Sequence, residues 1–169
     1  LGVSRTPIRE AIRMLEQEGL AVTMPRKGAE VARMTLKDME DVLEVREALD
    51  ELAARIACAK INDEQLENLK SIRDEFKKSL DSGDVKKIAE EDVRFHDAIY
   101  EATDNAKLIA LTNNIREQMY RYRVEYLKDQ NNYPILIAEH DAIVNALEQR
   151  DKEMVTAEMH THEIGRAHV

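Results

Sequence analysis

From residue 35 to the end, this chain repeats one pattern: apolar side chains recur every three or four positions, interrupted by short polar breaks. A period near 3.6 cannot sit in a sheet without turning its apolar side chains alternately to water, so this stretch is committed to helices packed on helices. The composition agrees. Charged residues make up 35% of the 169 and aromatics 4%, with five Gly and three Pro, which is the makeup of long amphipathic helices. A hydrophobic fraction of 43% is enough for a core.

Only the first thirty-odd residues read differently. A helix is predicted over 4–18, capped by Ser4 or Thr6, with Pro7 in the first turn, where no amide hydrogen is required. Ile8, Ala11, Ile12 and Leu15 form its apolar face and Gly19 ends it. Residues 20–24 and 29–32 read as two short strands around the turn Pro25-Arg26-Lys27-Gly28, giving the helix-plus-hairpin plan of a winged helix. Helices then follow over about 35–60, 62–80, 85–103, 107–128, 135–149 and 151–162, with a polar loop over 129–134. The first of these is expected to bury Leu36, Met39, Val42, Leu43, Ala48, Leu49 and Leu52. The fold class is thus mainly α: a partial winged helix-turn-helix over 1–34 and an antiparallel all-α helical bundle over 35–162.

Charge separates the two parts. The net charge is −9, but residues 1–34 carry six Lys or Arg against four acids, +2, which leaves −11 for the remainder. A small basic head on an acidic body suits a nucleic-acid reader attached to a domain that stays off nucleic acid. One cysteine, Cys58, makes no internal disulfide and reads as a small core residue; a reducing, cytoplasmic setting is expected. No apolar run approaches the length of a membrane span and no signal peptide is visible. The final seven residues, 163–169, resemble the translation of a sequencing-adapter oligonucleotide and are expected to be a non-native tail.

On the first helix Arg5 and Arg9 lie four apart on one face, about a quarter-turn from the apolar stripe, so they reach outward while Ile8 and Leu15 pack inward. Thr6 lies on the far side of the polar face. Such a helix end can enter a major groove, where Arg grips guanine in bidentate fashion. Arg13 suits a phosphate, and Arg26, Lys27 and Gly28 stand at the wing tip. From composition and spacing alone a solvated helix face is the commoner reading, since charged helix faces are frequent. The wording of residues 1–20, LGVSRTPIREAIRMLEQEGL, closely resembles the recognition-helix signature of the GntR family of bacterial regulators, and Pro25 to Val31 looks like that family's wing. The resemblance implies that Arg5, Thr6, Arg9 and Gly28 contact operator DNA. It also implies that a first helix and most of a second, with a further DNA-contacting arginine, belong ahead of Leu1, so operator binding is expected of the complete parent protein.

Setting aside His168, four histidines remain: His96, His140, His160 and His162. Asp92 and His96 share a helix face at i,i+4. If the bundle brings His140 and His162 to them, one carboxylate and three imidazoles meet around a cation; otherwise these are scattered histidines making ordinary hydrogen bonds. Val45–Asp50, Asp92–Ile99, Glu139–Ile143 and Met159–His162 resemble stretches of the FCD domain, the effector-binding domain of the FadR-type GntR regulators. That resemblance implies a divalent transition metal, zinc or nickel, on Asp92, His96, His140 and His162, with His160 turned to solvent. It implies an Arg46 that faces the pocket, a small organic-acid or sugar-acid effector, a homodimer, and a repressor whose operator binding the effector modulates. From spacing alone Arg46 has Asp50 as its simple salt-bridge partner. Tyr120, Arg121, Tyr122 and Arg123 crowd one helix, and some of them are expected at the cavity.

Two rivals stand beside this reading. His96-Asp97 and His140-Asp141 are His-Asp dipeptides of the kind used by helical metal-dependent phosphohydrolases, though adjacent helix residues point about 100° apart. The other rival is a plain dimerisation module with a vestigial pocket.

Overall fold

The computed structural model describes residues 5–32 and 35–167, and of Arg5, Leu36, Arg121 and residues 163–167 it describes the backbone. The chain forms two compact units, Leu1–Met39 and Glu40–Val169. In order, the elements are α1 (Arg5–Gln17), β1 (Ala21–Met24), β2 (Gly28–Val31), α2 (Leu36–Lys60), α3 (Asp63–Leu80), α4 (Val85–Ala102), α5 (Ala106–Tyr126), a single 3-10 turn (Gln130–Asn132), α6 (Tyr133–Glu148) and α7 (Lys152–Ala167).

In the smaller unit α1 ends in a Schellman motif. Gly19 takes φ +74°, its amide donates to Glu16 O at 3.1 Å, and the Leu20 amide donates to Leu15 O at 2.8 Å. The two strands pair antiparallel, with Ala21 opposite Val31 and Met24 opposite Gly28. Pro25 followed by Arg26 at φ +68°, closed by the Lys27 amide on Met24 O at 3.1 Å, is the pattern of a type II turn. Glu16 reaches across and accepts from the Thr23 amide at 3.0 Å, tying α1 to β1.

In the larger unit α3 packs on α4 and α6, α4 on α5, and α6 on α7. Local chemistry sets the helix ends. Asn62 and Gln65 form a reciprocal capping box at α3, a device worth about 1 kcal/mol. Asp84 caps α4 and Asn105 caps α5. The main core joins Ala54, Ala57, Cys58, Leu69, Phe95, Ile99, Ile143, Leu147, Val155 and Met159 from α2, α3, α4, α6 and α7. Burial raises the Cys58 thiol pKa, as expected for a small core residue.

Three local expectations change. The deepest positions of α2 are Arg46, Asp50, Ala53, Ala54, Ala57 and Cys58; Ala48 is exposed, and Val42, Leu43, Leu49 and Leu52 are only partly buried. The stripe is rotated because a paired Arg and Asp go inside, and alanines let neighbouring helices approach closely. Pro134 lies in the first turn of α6 rather than in the preceding loop, a position a proline tolerates. Finally, α7 continues to Ala167, past the expected end at 162.

Candidate metal centre and ligand cavity

Asp92 and His96 project from the same face of α4 into the bundle, with 1% and 2% of their surfaces exposed. His140 comes from α6 and His162 from α7, both fully buried. One ligand atom from each of the four lies within 4.8 Å of all the others. His96 Nε2 and His162 Nε2 are 3.1 Å apart, and His140 Nε2 is 3.3 Å from Asp92 Oδ1. Metal–nitrogen bonds of about 2.1 Å give neighbouring ligands separations of about 3.0–3.4 Å, so both distances suit edges of one coordination polyhedron.

Glu139 orients His162. Its Oε2 lies 2.7 Å from His162 Nδ1. A carboxylate only accepts, so the ring proton sits on Nδ1 and the Nε2 lone pair faces the cluster. His140 is held by aromatic rings: Phe95 stacks on it at 3.9 Å and 16°, and Phe76 leans against it at 4.6 Å. Three imidazoles and a carboxylate, all buried and with ligand atoms within 4.8 Å of one another, form a donor set that suits a borderline divalent ion. The residues therefore fit the metal that the resemblance implies.

Beside the cluster lies a small cavity lined by Arg46, Asp50, His96, Tyr100, Arg116 and Arg123 among others. Arg46 Nε donates to Asp50 Oδ2 at 3.2 Å, and the Tyr100 hydroxyl donates to Asp50 Oδ1 at 2.5 Å. Arg123 from α5 pairs with Asp92 Oδ2, with side chains 7% and 1% exposed. Arg46 thus holds both positions weighed from the sequence, salt-bridged to Asp50 and facing the cavity. The free volume, about 10 Å³, accommodates roughly a single water.

Sequence reasoning missed Glu139, and it named Arg123 only as one of four crowded residues of which some were expected at the cavity. Glu139 precedes His140 but points elsewhere on α6, toward a different helix's histidine, and no spacing rule within one helix finds such a partner. Arg123 stands in a helix that also carries Arg121, and only packing shows it buried beside Asp92.

In the smaller unit Thr6 and Arg9 are exposed on α1, and the side chain of Arg5 lies outside the described residues. Ser4, the alternative cap, also lies outside them. Gly28 has φ +96° with nothing within 4 Å of an added Cβ, so backbone conformation rather than crowding favours glycine there. Ile8, Arg9, Ile12, Arg13, Glu16, Thr23, Gly28 and Ala29 line an open groove of about 500 Å³. Ile8 and Leu15, expected to pack inward, are 44% and 43% exposed.

His160 is 46% exposed in its side chain, but it is not merely solvated. Its Nδ1 lies 2.7 Å from both Glu47 Oε1 and Glu51 Oε1 of α2. The aspartates of the two His-Asp dipeptides turn away from the cluster: Asp97 pairs with Arg116, and Asp141 with Lys77 at 2.7 Å and Arg73 at 3.3 Å. Among the described residues, no helix is long and apolar enough to cross a membrane.

Comparison with known proteins agrees with this architecture. Residues 41–164 match the FCD domain, and residues 1–31 match the family described as bacterial regulatory proteins, gntR family. The chain is 26% identical over 162 residues to the uncharacterized HTH-type transcriptional regulator YdhC of Bacillus subtilis, covering 95% of this chain and 72% of that one. It is 26% identical over 164 residues to the gluconate operon transcriptional repressor of the same organism, covering 94% and 67%. It is 29% identical over 156 residues to the probable D-xylose utilization operon transcriptional repressor of Paenarthrobacter nicotinovorans, covering 91% and 67%. Among solved structures, E. coli McbR/YncC superposes with a TM-score of 0.85 at 21% identity, covering 99% of this chain and 86% of that one. These relatives and families are transcriptional regulators, not enzymes, which removes the phosphohydrolase rival. A helical bundle matched along its whole core by the FCD domain, behind a helix and wing matched by the gntR model, places the chain in a single group: it belongs to the FCD-domain branch of the gntR family of bacterial transcriptional regulators.

Proposed function

We propose that this chain is the sensory and partial DNA-reading portion of a homodimeric, cytoplasmic repressor that binds a divalent transition metal and a small carboxylate effector. Asp92, His96, His140 and His162 hold the metal, zinc or nickel, and Arg46 binds the effector's carboxylate. Arg5, Thr6, Arg9 and Gly28 read the operator. The head spans residues 1–34 and the sensor 35–162, with 163–169 as a non-native tail. The observation that carries the metal assignment is the burial of all four side chains with ligand atoms within 4.8 Å of one another. Two relatives carry gluconate, a sugar acid, in their names, which supports an effector of that class.

When bound, the metal supplies Lewis acidity and a fixed positive charge for an anionic ligand. The chain's own residues do the rest. Glu139 holds the His162 tautomer, and Phe95 and Phe76 fix the His140 ring. Arg46 and Arg123 are now satisfied by Asp50 and Asp92, and a carboxylate effector takes over part of that pairing. A cavity with room for one water must open for this, so the effector favours an arrangement of α2 and α5 other than the closed one. That difference in affinity is what biases the DNA-reading heads on an operator with two half-sites.

The test is metal analysis of the purified chain, followed by thermal-shift screening of organic and sugar acids on the metal-loaded full-length parent. The expected result is one tightly held buried ion and at least one stabilising acid, both lost in His140→Ala. A metal-loaded protein that no acid stabilises would instead favour the dimerisation module with a vestigial pocket, a reading supported by the small cavity. Absence of tightly bound metal sinks the sensor proposal.

A further inference from the structure

Glu47 and Glu51 lie one turn apart on the outer side of α2, and His160 of α7 reaches over to them. Both carboxylate oxygens, Glu47 Oε1 and Glu51 Oε1, stand 2.7 Å from the same atom, His160 Nδ1. One N–H can point along only one of these lines, and sharing it gives two bent, weaker bonds. Two carboxylates converging on one nitrogen are better matched by a cation that meets both oxygens and the ring lone pair together. The three ligand atoms lie within 4.8 Å of one another, and the side chains are 35%, 30% and 46% exposed. Incoming water and ions therefore have access.

From this geometry we propose a second divalent metal site, on the outside of the bundle, formed by Glu47, Glu51 and His160, with water completing the coordination. Ligands about 2.0–2.2 Å from an ion stand about 3 Å or more apart, so the ring backs away by roughly half an ångström, an easy movement for a half-exposed side chain. The site has a definite place in the fold. Glu47 and Glu51 follow Arg46 and Asp50 by one residue on α2, and His160 precedes His162 by two on α7. An ion here clips together the two helical turns whose inward side chains supply the cavity and one buried ligand. The site shares no ligand with the buried cluster, and its existence does not depend on that cluster holding metal.

The experiment is calorimetric titration with zinc chloride alone, comparing wild type with the Glu47→Gln/Glu51→Gln double variant and with His160→Ala. Each variant should bind one equivalent fewer than wild type while keeping its circular dichroism. The same comparison in a His140→Ala background, which breaks the buried cluster, should show the same loss. As a second readout, the His160 Nδ1 nitrogen resonance should shift on adding zinc to wild type and stay put in the double variant. Equal stoichiometry in wild type and double variant overturns the proposal. So does a lost equivalent that binds only at millimolar zinc, or an unmoved His160 signal. Loss of metal in His140→Ala with the outer equivalent intact counts only toward the buried-centre reading.

Discussion

Glu139 shows how a single side chain shapes the centre without joining the ligand set. Its carboxylate, 12% exposed, fixes the proton on His162 Nδ1, so that Nε2 faces His96 Nε2 at 3.1 Å. Glu139→Gln replaces a charged acceptor with a neutral amide that can also turn its NH2 to the ring. The expected outcome is a metal affinity weaker by about 10–100-fold, with the buried ion still bound at saturation and the metal-free melting temperature nearly unchanged. Competition against a chelator of known affinity measures this. Total loss of the buried ion would show that Glu139 is a ligand or a folding requirement instead. Arg123 teaches a related lesson. A buried guanidinium beside Asp92 balances the carboxylate's charge, so Asp92 can lie in the interior at 1% exposure.

Helix ends and helix faces follow different rules. The ends are set by local chemistry. At the start of α2 the Thr35 amide and hydroxyl donate to Asp38 Oδ2 at 2.9 and 2.7 Å, and the Asp38 amide returns a bond to Thr35 Oγ1 at 3.1 Å. The Thr35 side chain, then the Thr35 backbone, hold the Asp38 carboxyl below its ordinary pKa. The sign follows: this cap is fully present above the ordinary carboxylate pKa and is lost as pH falls through the lower folded value. In Thr35→Ala the Asp38 carboxyl should titrate at higher pH, nearer the ordinary value, which carbon-detected NMR titration reads directly; an unchanged midpoint would remove Thr35 as the cause. Residues 129–151 show where local signals are weaker. Arg150 takes φ +57° at the end of α6, closed by the Asp151 amide on Ala146 O at 3.1 Å, in a position where glycine is the usual marker. Helix faces depend on the neighbours instead. The apolar period of α2 predicts Leu and Val at its deepest positions, whereas the bundle turns Arg46, Asp50 and three alanines inward.

At the scale of the whole molecule, the larger unit holds Asp92, His96, His140 and His162 together in its interior, where charged and polar groups are costly to bury. A metal that binds only the folded chain adds to its stability by mass action, about 4 kcal/mol at a thousandfold excess over the dissociation constant. Removing it with EDTA should therefore lower the melting temperature of the larger unit, on the order of 10 °C for a domain of this size. Scanning calorimetry with and without chelator, and again after adding zinc back, makes the measurement. A melting temperature indifferent to EDTA would contradict a buried metal centre.

The sequence by itself determined the seven α-helices and two strands of the described residues, the Asn62 cap, the basic head and acidic body, and the i,i+4 pairing of Asp92 with His96. Each depends on contacts within a few residues or on composition, which a single chain carries on its face. The resemblance of its motifs then pointed to His140 and His162 as partners. Only the tertiary structure decided that α4, α6 and α7 bring these four side chains within 4.8 Å, that Glu139 serves His162, that Arg123 adjoins Asp92, and that His160 meets Glu47 and Glu51. Those meetings join residues from 23 to 113 positions apart in the chain, and their geometry is set by how whole helix faces pack, which local periodicity does not encode.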